Sequence, residues 1–246
     1  MTSEISKRFK SPNYDNRRKN LKIKYIILHY TETKNLIDAK NILCCSDRKV
    51  SCHYLINCNG KIYELVNAKN RAWHAGVSCW QQDTNINHNS IGIEIVNKGE
   101  REKDKFKNKQ IISLINLILM LKKKFKISKK NILGHSDIAP LRKIDPGIFF
   151  PWDKLSEQSI GLPINKYFRK KEISARSLNR REITQFLKNL KEIGYNQIQI
   201  EKQYNKINNI IIQCFHRHFL PCLLSRKPNK VSLLTSIEIM DFKKNN

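Results

Sequence analysis

Apolar positions along this chain fall into two kinds of run. Lys24 to His29 reads KYIILH, a short stretch without polar interruption that predicts a buried central strand. The polar segment TETKNLIDAKNIL after it predicts a loop leading into a short helix. His53–Ile56 and Lys61–Val66 flank Asn57-Cys58-Asn59-Gly60, whose Asn-Gly step predicts a hairpin turn. Ser90 to Val96 alternates, with Ile91, Ile93 and Ile95 facing one way and Gly92, Glu94 and Val96 the other. Glu94 therefore stands across the strand from three isoleucines. From Gln110 to Phe125 the apolar residues are dense at helical length, and Lys122–Lys124 suit the negative end of a helix dipole. Asn131 to Gly134 predicts a short strand that delivers His135 into the loop SDIAPLRKIDPGIFFPW.

Strands that alternate with helical segments predict an α/β domain, a mixed central β-sheet flanked by helices, over residues 1–165. Beyond Pro163 the pattern changes. Residues 180–193 and 206–219 predict amphipathic helices, and a weaker third follows at 231–243. Together they predict a small all-α module over 174–246, joined through a Lys/Arg-rich connector. No internal repeat or low-complexity tract interrupts the chain.

Composition narrows the functional classes only a little. The 246 residues suffice for one good core and a small second module, and 40% apolar with 28% charged is a globular balance. The formal net charge of +26 attracts polyanions, whether nucleic acid, anionic lipid or an acidic polymer. The lysines are dispersed rather than gathered into a patch, so the charge permits an acidic substrate without selecting one. No helix-turn-helix, zinc-finger or RNP pattern is present, and no nucleic-acid partner is expected. Seven cysteines leave an odd thiol and form no CxxC, which predicts a fold independent of disulfides and favours a reducing compartment. The N-terminal segment lacks an apolar stretch of secretory type, and Ile111 to Leu121 is too short to span a bilayer.

A catalytic zinc takes three protein ligands and keeps one position open for water. His29 ends one predicted strand, His135 ends another, and Asp145 lies in a loop stiffened by Pro140 and Pro146. Two imidazoles and a carboxylate from rigid positions match that donor set, although no HExxH or other compact motif accompanies them.

The segments SPNYDNRR, YIILHYT, SCHYLINCNGKIYELV, RAWHAGVSCW, NINHNSIGIEIVN and GHSDIAPLRKIDPGIFFPW occur in that order. Through them the chain resembles the zinc N-acetylmuramoyl-L-alanine amidases of the AmpD and AmiD kind, over residues 10 to about 160 with no large insertion. The resemblance implies that His29, His135 and Asp145 hold one Zn2+ per chain. It places Glu94 of SIGIE on the family's general base and Lys143 of RKIDPG on the residue that stabilises the oxyanion. The implied reaction is hydrolysis of the lactyl–L-alanine amide of peptidoglycan or (anhydro-)muropeptides, in cell-wall turnover or recycling. The physics agrees, since a carboxylate can take a proton from the attacking water while zinc and lysine share the developing charge. Phage-lysozyme-type amidases carry a Tyr just before the His that aligns with His53; here the slot is Cys52, which leaves the role to Glu94. The last ligand is Asp, where that branch uses Cys.

Arg71, His74, Asn97 and Arg142 are candidates for binding peptide carboxylates or sugar, a task that suits the planar fork of arginine. Trp73 and Trp80 either stack on substrate or pack. His53 reads as a hydrogen-bonded structural residue rather than a fourth ligand, and His88 as a polar loop residue. In the tail, Cys214, His216, His218 and Cys222 lie within nine residues. They read either as a second metal site or as packing, and Pro221 is expected to end the helix before Cys222. FLKNLKEIGY followed by IIIQCFHRHFLP resembles the small helical peptidoglycan-binding module of AmiD-like amidases, where the helix bearing FxxHF packs as core. The compartment reads two ways: cytoplasmic from the missing signal, or periplasmic or secreted if the module binds wall. A second functional class, a non-catalytic peptidoglycan binder, would have no need of both Glu94 and Lys143. The sequence leaves the oligomeric state open.

Overall fold

The computed structural model describes residues 4–165 and 175–245, so most of the basic connector lies outside the described residues. The chain opens with two short strands, β1 (Ile5–Ser6) and β2 (Tyr14–Asn16), followed by the buried run as β3 (Tyr25–Tyr30). Helix α1 (Leu36–Leu43) starts where the side chain of Asn35 accepts the N–H groups of Ile37 and Asp38. The expected hairpin forms from β4 (Tyr54–Ile56) and β5 (Ile62–Glu64), which pair antiparallel. Three two- or three-residue strands follow, β6 (Asn70–Ala72), β7 (Cys79–Trp80) and β8 (Asp83–Thr84). Then come β9 (Ser90–Ile95), α2 (Asn108–Phe125) and β10 (Ile132–Gly134). Helix α2 begins two residues before the apolar pattern does. Its start is fixed by Gln110, whose side chain accepts the Lys107 N–H at 2.9 Å and donates to the Val96 carbonyl at 2.8 Å.

Six strands make one sheet in the order β1-β5-β4-β9-β3-β10, parallel except between β4 and β5. The residues after β10, expected as a loop, form a short helix α3 (His135–Ile138), and α4 (Trp152–Ser156) follows. The alternation in β9 decides the layers. Ile91, Ile93 and Ile95 join Ile26 and Leu28 of β3 under α2, in a cluster with Leu114, Leu117, Ile118 and Leu121. Gly92 and Glu94 face the opposite way.

That opposite face is covered in two parts. At the β4–β5 side, Leu55 and Tyr63 pack with Ala39 and Leu43 of α1. At the β3–β10 side, the cover is the three C-terminal helices, α5 (Arg180–Ile193), α6 (Lys206–Phe219) and α7 (Lys230–Lys244). Each starts on an asparagine N-cap, Asn179, Asn205 or Asn229, whose side chain accepts backbone N–H groups of the first turn. Helix α5 stops at Gly194, with φ +151°, and a Cβ there would lie 2.3 Å from the Trp80 ring, so only glycine fits. One continuous apolar cluster joins Tyr25, Ile27 and Leu133 of the sheet to Phe186, Leu190, Phe215 and Phe219 of the helices. The two parts read from sequence thus share a core.

Candidate active site

The uncovered strip between the two helical covers lies at the carboxyl ends of the parallel strands β3, β9 and β10, where open α/β sheets place their ligands. His29 of β3 pairs directly with Glu94 of β9, so both side chains leave the sheet on that face. His135 opens α3 immediately after β10, and Asp145 sits in the loop beyond it. His29 Nδ1 lies 2.9 Å from Asp145 Oδ2 and 3.0 Å from His135 Nδ1, and the third edge, His135 Nδ1 to Asp145 Oδ2, is 3.1 Å. All three residues are buried. A proton can sit between only one pair of these three acceptor atoms, whereas a cation at their centre satisfies all of them. Tetrahedral metals with bonds of ~2.0–2.1 Å space their donors by roughly 3.3 Å, close to this triangle. Among the described residues it is the one group of three such side chains able to hold a metal ion.

The remote nitrogens of both imidazoles are held by two consecutive residues. His29 Nε2 meets His74 Nδ1 at 3.1 Å, and His135 Nε2 meets the Ala75 carbonyl at 3.2 Å. From His74 the chain of bonds continues through Nε2 to Ser90 Oγ at 3.1 Å, and Ser90 donates to the Ile86 carbonyl at 2.6 Å. The carbonyl at the end can only accept. Ser90 must therefore donate to it, His74 Nε2–H to Ser90, and His29 Nε2–H to His74. The tautomers assigned on this basis leave both Nδ1 lone pairs free toward Asp145, as a metal requires. Asn87 Oδ1 holds the supporting loop by accepting the N–H groups of His74 and Ala75. Gly92 makes the arrangement possible: a Cβ there would stand 2.3 Å from His74 Cγ.

The cleft in front of the triangle measures about 350 Å³ and includes Glu94, Lys143, Arg142 and Arg101 in its lining. Burial lowers the pKa of His29 to about 4, helped by the positive field of His135. Burial alone would raise that of Asp145, but His135 and His29 together hold it far below the usual carboxylate range. Burial and then the Asp145 charge push Glu94 well above its ordinary value, with Lys143 pulling the other way. Its Oε2 is buried without a hydrogen-bond partner. A carboxyl group in that state is suited to taking and returning a proton.

The remaining sequence candidates separate. His74 is in the cleft lining and also lies buried against His29, whose Nε2 it meets through Nδ1. Arg142 lines the cleft, but its Nε and Nη2 are spent on the Val77 and Ala75 carbonyls. Arg71 is outside the lining and grips the Asp15 carboxylate and His88 Nε2. Asn97 is also outside it, bonded to the Asp104 carbonyl and the Gly99 N–H in its own loop. Trp80 is buried against Tyr195. His53 accepts the Gly92 N–H at Nδ1 and meets the Asn70 carbonyl and Arg17 at Nε2, which is a structural role. In the tail, α6 ends at Phe219, before Cys222. Cys214 donates to the Pro140 carbonyl, His216 pairs with Ser232 and His218 with Asp137, so these side chains point at three different partners. Sequence reasoning missed Arg101, Glu32 and the apolar wall of Ile42, Leu43 and Val50. Arg101 carries no local signal, being one charge among many in its loop.

The family described as N-acetylmuramoyl-L-alanine amidase matches residues 19–148, just over half of the chain. The chain is 39% identical over 153 residues to the N-acetylmuramoyl-L-alanine amidase AmiD of Escherichia coli strain K12, covering 57% of this chain and 54% of that protein. It is 45% identical over 107 residues to the 1,6-anhydro-N-acetylmuramyl-L-alanine amidase AmpD of Haemophilus influenzae, covering 43% and 56%. The match thus spans about half the length of each of these curated relatives. A solved complex of E. coli AmiD with anhydro-N-acetylmuramic acid-L-Ala-D-γ-Glu-L-Lys superposes with a TM-score of 0.77 at 27% identity, covering 94% of both chains. No helix among the described residues is long and apolar enough to cross a membrane.

Proposed function

The chain belongs to the N-acetylmuramoyl-L-alanine amidase family, and on that premise we propose that it hydrolyses the amide between the muramic-acid lactyl group and L-alanine in anhydro-muropeptides or peptidoglycan, with one zinc ion held by His29, His135 and Asp145. The observation that carries the proposal is the buried triangle of donor atoms, sharing its cleft with a partnerless carboxylate oxygen on Glu94. When bound there, zinc supplies a Lewis acid and an acidified water.

The side chains of the chain do the rest. Glu94 Oε2 takes a proton from the attacking water and afterwards delivers it to the departing alanine nitrogen. Lys143, in the cleft lining, places its ammonium beside the carbonyl oxygen as that atom gains charge. His74 and the Ala75 carbonyl keep the two imidazoles in register while this happens. Arg142 holds the loop of residues 75–77, and Arg101 offers a cation at the rim for a stem-peptide carboxylate. Incubation with a soluble anhydro-muropeptide, followed by mass spectrometry, should show free stem peptide that disappears on chelation. No release from protein carrying one zinc per chain would leave a non-catalytic binder and sink the proposal.

A further inference from the structure

Two ligand-bearing segments are fastened from behind by the C-terminal helices. The turn α3, which begins with His135, is closed by Asp137: its Oδ2 accepts the Gly134 N–H at 2.7 Å. Asp137 is buried to 1% exposure, so its charge must be met inside the protein. Two of its hydrogen bonds come from the helical region, Tyr195 donating to Oδ1 at 2.7 Å and His218 Nδ1–H to Oδ2 at 2.9 Å. The His218 ring lies stacked on Trp152 at 3.8 Å, which limits its freedom to turn away. The second fastening reaches the other segment. Arg217, one residue earlier on α6, forks onto Glu100 through Nε at 2.8 Å and Nη2 at 3.1 Å. Glu100 Oε2 in turn accepts the N–H of Ile148, three residues past Asp145. Both partners of that ion pair are largely shielded, with side-chain exposures of 12% and 15%.

We propose that Tyr195, Arg217 and His218 are positioning residues of the metal centre, setting the spacing of His135 and Asp145 through Asp137 and Glu100. The C-terminal helices are on this view part of the catalytic unit, whatever else they bind. The inference rests on the metal reading above. Its physical basis is that none of the three ligands shares an element with another. Their mutual distances therefore depend on what ties α3 and the 143–148 loop to one frame: the Ser136 N–H donates to the Asp145 carbonyl at 2.9 Å in front, and α6 holds both segments from behind. Bonds that orient ligands from outside are worth roughly 10–100-fold in metal affinity.

The test uses the full chain and compares Tyr195→Phe, Arg217→Gln, Glu100→Gln, the Arg217→Gln/Glu100→Gln double variant and Arg217→Lys with wild type. Zinc dissociation constants are read by competition with a chromophoric chelator, beside melting of the metal-free and zinc-loaded forms. Tyr195→Phe and Arg217→Gln should each weaken zinc about tenfold. The double variant should be no weaker than the worse single, because one pair is broken either way. Arg217→Lys should recover part of the loss, and because removing a partner from a buried charge also lowers the metal-free melting points, the zinc constants rather than the melting points carry the test. Tyr195→Phe removes a single oxygen and keeps its volume, so it remains informative should Arg217→Gln fold poorly. Zinc affinities within twofold of wild type in every variant, whatever the melting points do, would overturn the inference alone. A wild-type chain that binds no zinc would overturn the metal reading with it.

Discussion

Gly92→Ala adds one methyl group to a residue that touches no ligand, yet it should loosen the metal. The new Cβ would stand 2.3 Å from His74 Cγ, 2.6 Å from Cδ2 and 2.7 Å from Nδ1, all far inside contact distance. The His74 ring must retreat by roughly 1 Å to reach ordinary van der Waals separation. It is held at both nitrogens, by His29 and Ser90, each at 3.1 Å. A retreat of that size stretches at least one of these past hydrogen-bonding range. Overpacking costs about 1–3 kcal/mol and a lost neutral hydrogen bond about 1 kcal/mol more. The sum of about 2–4 kcal/mol lowers the melting temperature of a chain this size by roughly 4–16 °C. The more telling effect is on zinc. Without His74 to take its Nε2–H, His29 loses the bond that aims Nδ1 at the metal, and affinity should fall about 10–100-fold. Differential scanning calorimetry and chelator competition measure the two effects. A Gly92→Ala chain that melts within a degree of wild type and binds zinc equally would refute the packing argument.

Lys143→Ala should lower turnover on anhydro-muropeptide by about 10²–10³ while metal analysis still finds close to one zinc per chain; full activity removes it from the reaction. Glu94→Gln keeps shape and zinc but not the proton acceptor, and kcat should drop on the order of 10²–10⁴, with KM little changed. Stability should also fall in acid. Burial lowers His53 to about 3 and His216 to about 4, against roughly 6.5 in the unfolded chain. As pH drops below about 6.5 the unfolded state takes up protons that the folded state refuses, and each residue removes up to about 1.4 kcal/mol per pH unit. The loss continues until the folded pKa is reached. Melting of the metal-free chain between pH 7 and 5 should therefore decline, less steeply in His216→Gln; parallel slopes would show that His216 is not held neutral.

The C-terminal helices were legible from their amphipathic pattern, and the asparagine N-caps at Asn179, Asn205 and Asn229 that fix their starts are local signals the pattern reading did not use. The placement of Glu94 was legible for the same reason, since alternation along one strand assigns its face. The support that His74 of RAWHAG gives to His29 was hidden from the sequence, although His74 also lines the cleft as a substrate contact would. Its partners, Gly92 and His29, are distant in sequence and meet it only through the sheet register. Arg71 is a similar case, neutralised by Asp15 from a strand 56 residues earlier. KYIILH held an unused hint. An uninterrupted apolar run must be buried on both faces, so Tyr25 and Ile27 already required a cover, which residues 1–165 supply only in part on that side through Ala75, Ile86 and Ile138 among others.

That shared core has a consequence for how the protein is made. Chains emerge from the ribosome N-terminus first, and domains ordinarily close behind the exit as they appear. Here β3, which carries His29, and β10, which leads into His135, emerge before the helices from residue 180 onward that complete their second apolar face. Until those helices dock, the face of Tyr25, Ile27 and Leu133 is covered only in part, by residues such as Ala75, Ile86 and Ile138. The sheet's second apolar face is thus completed only once α5, α6 and α7 have been made and have docked, and the interval before that is when this face is most exposed to aggregation.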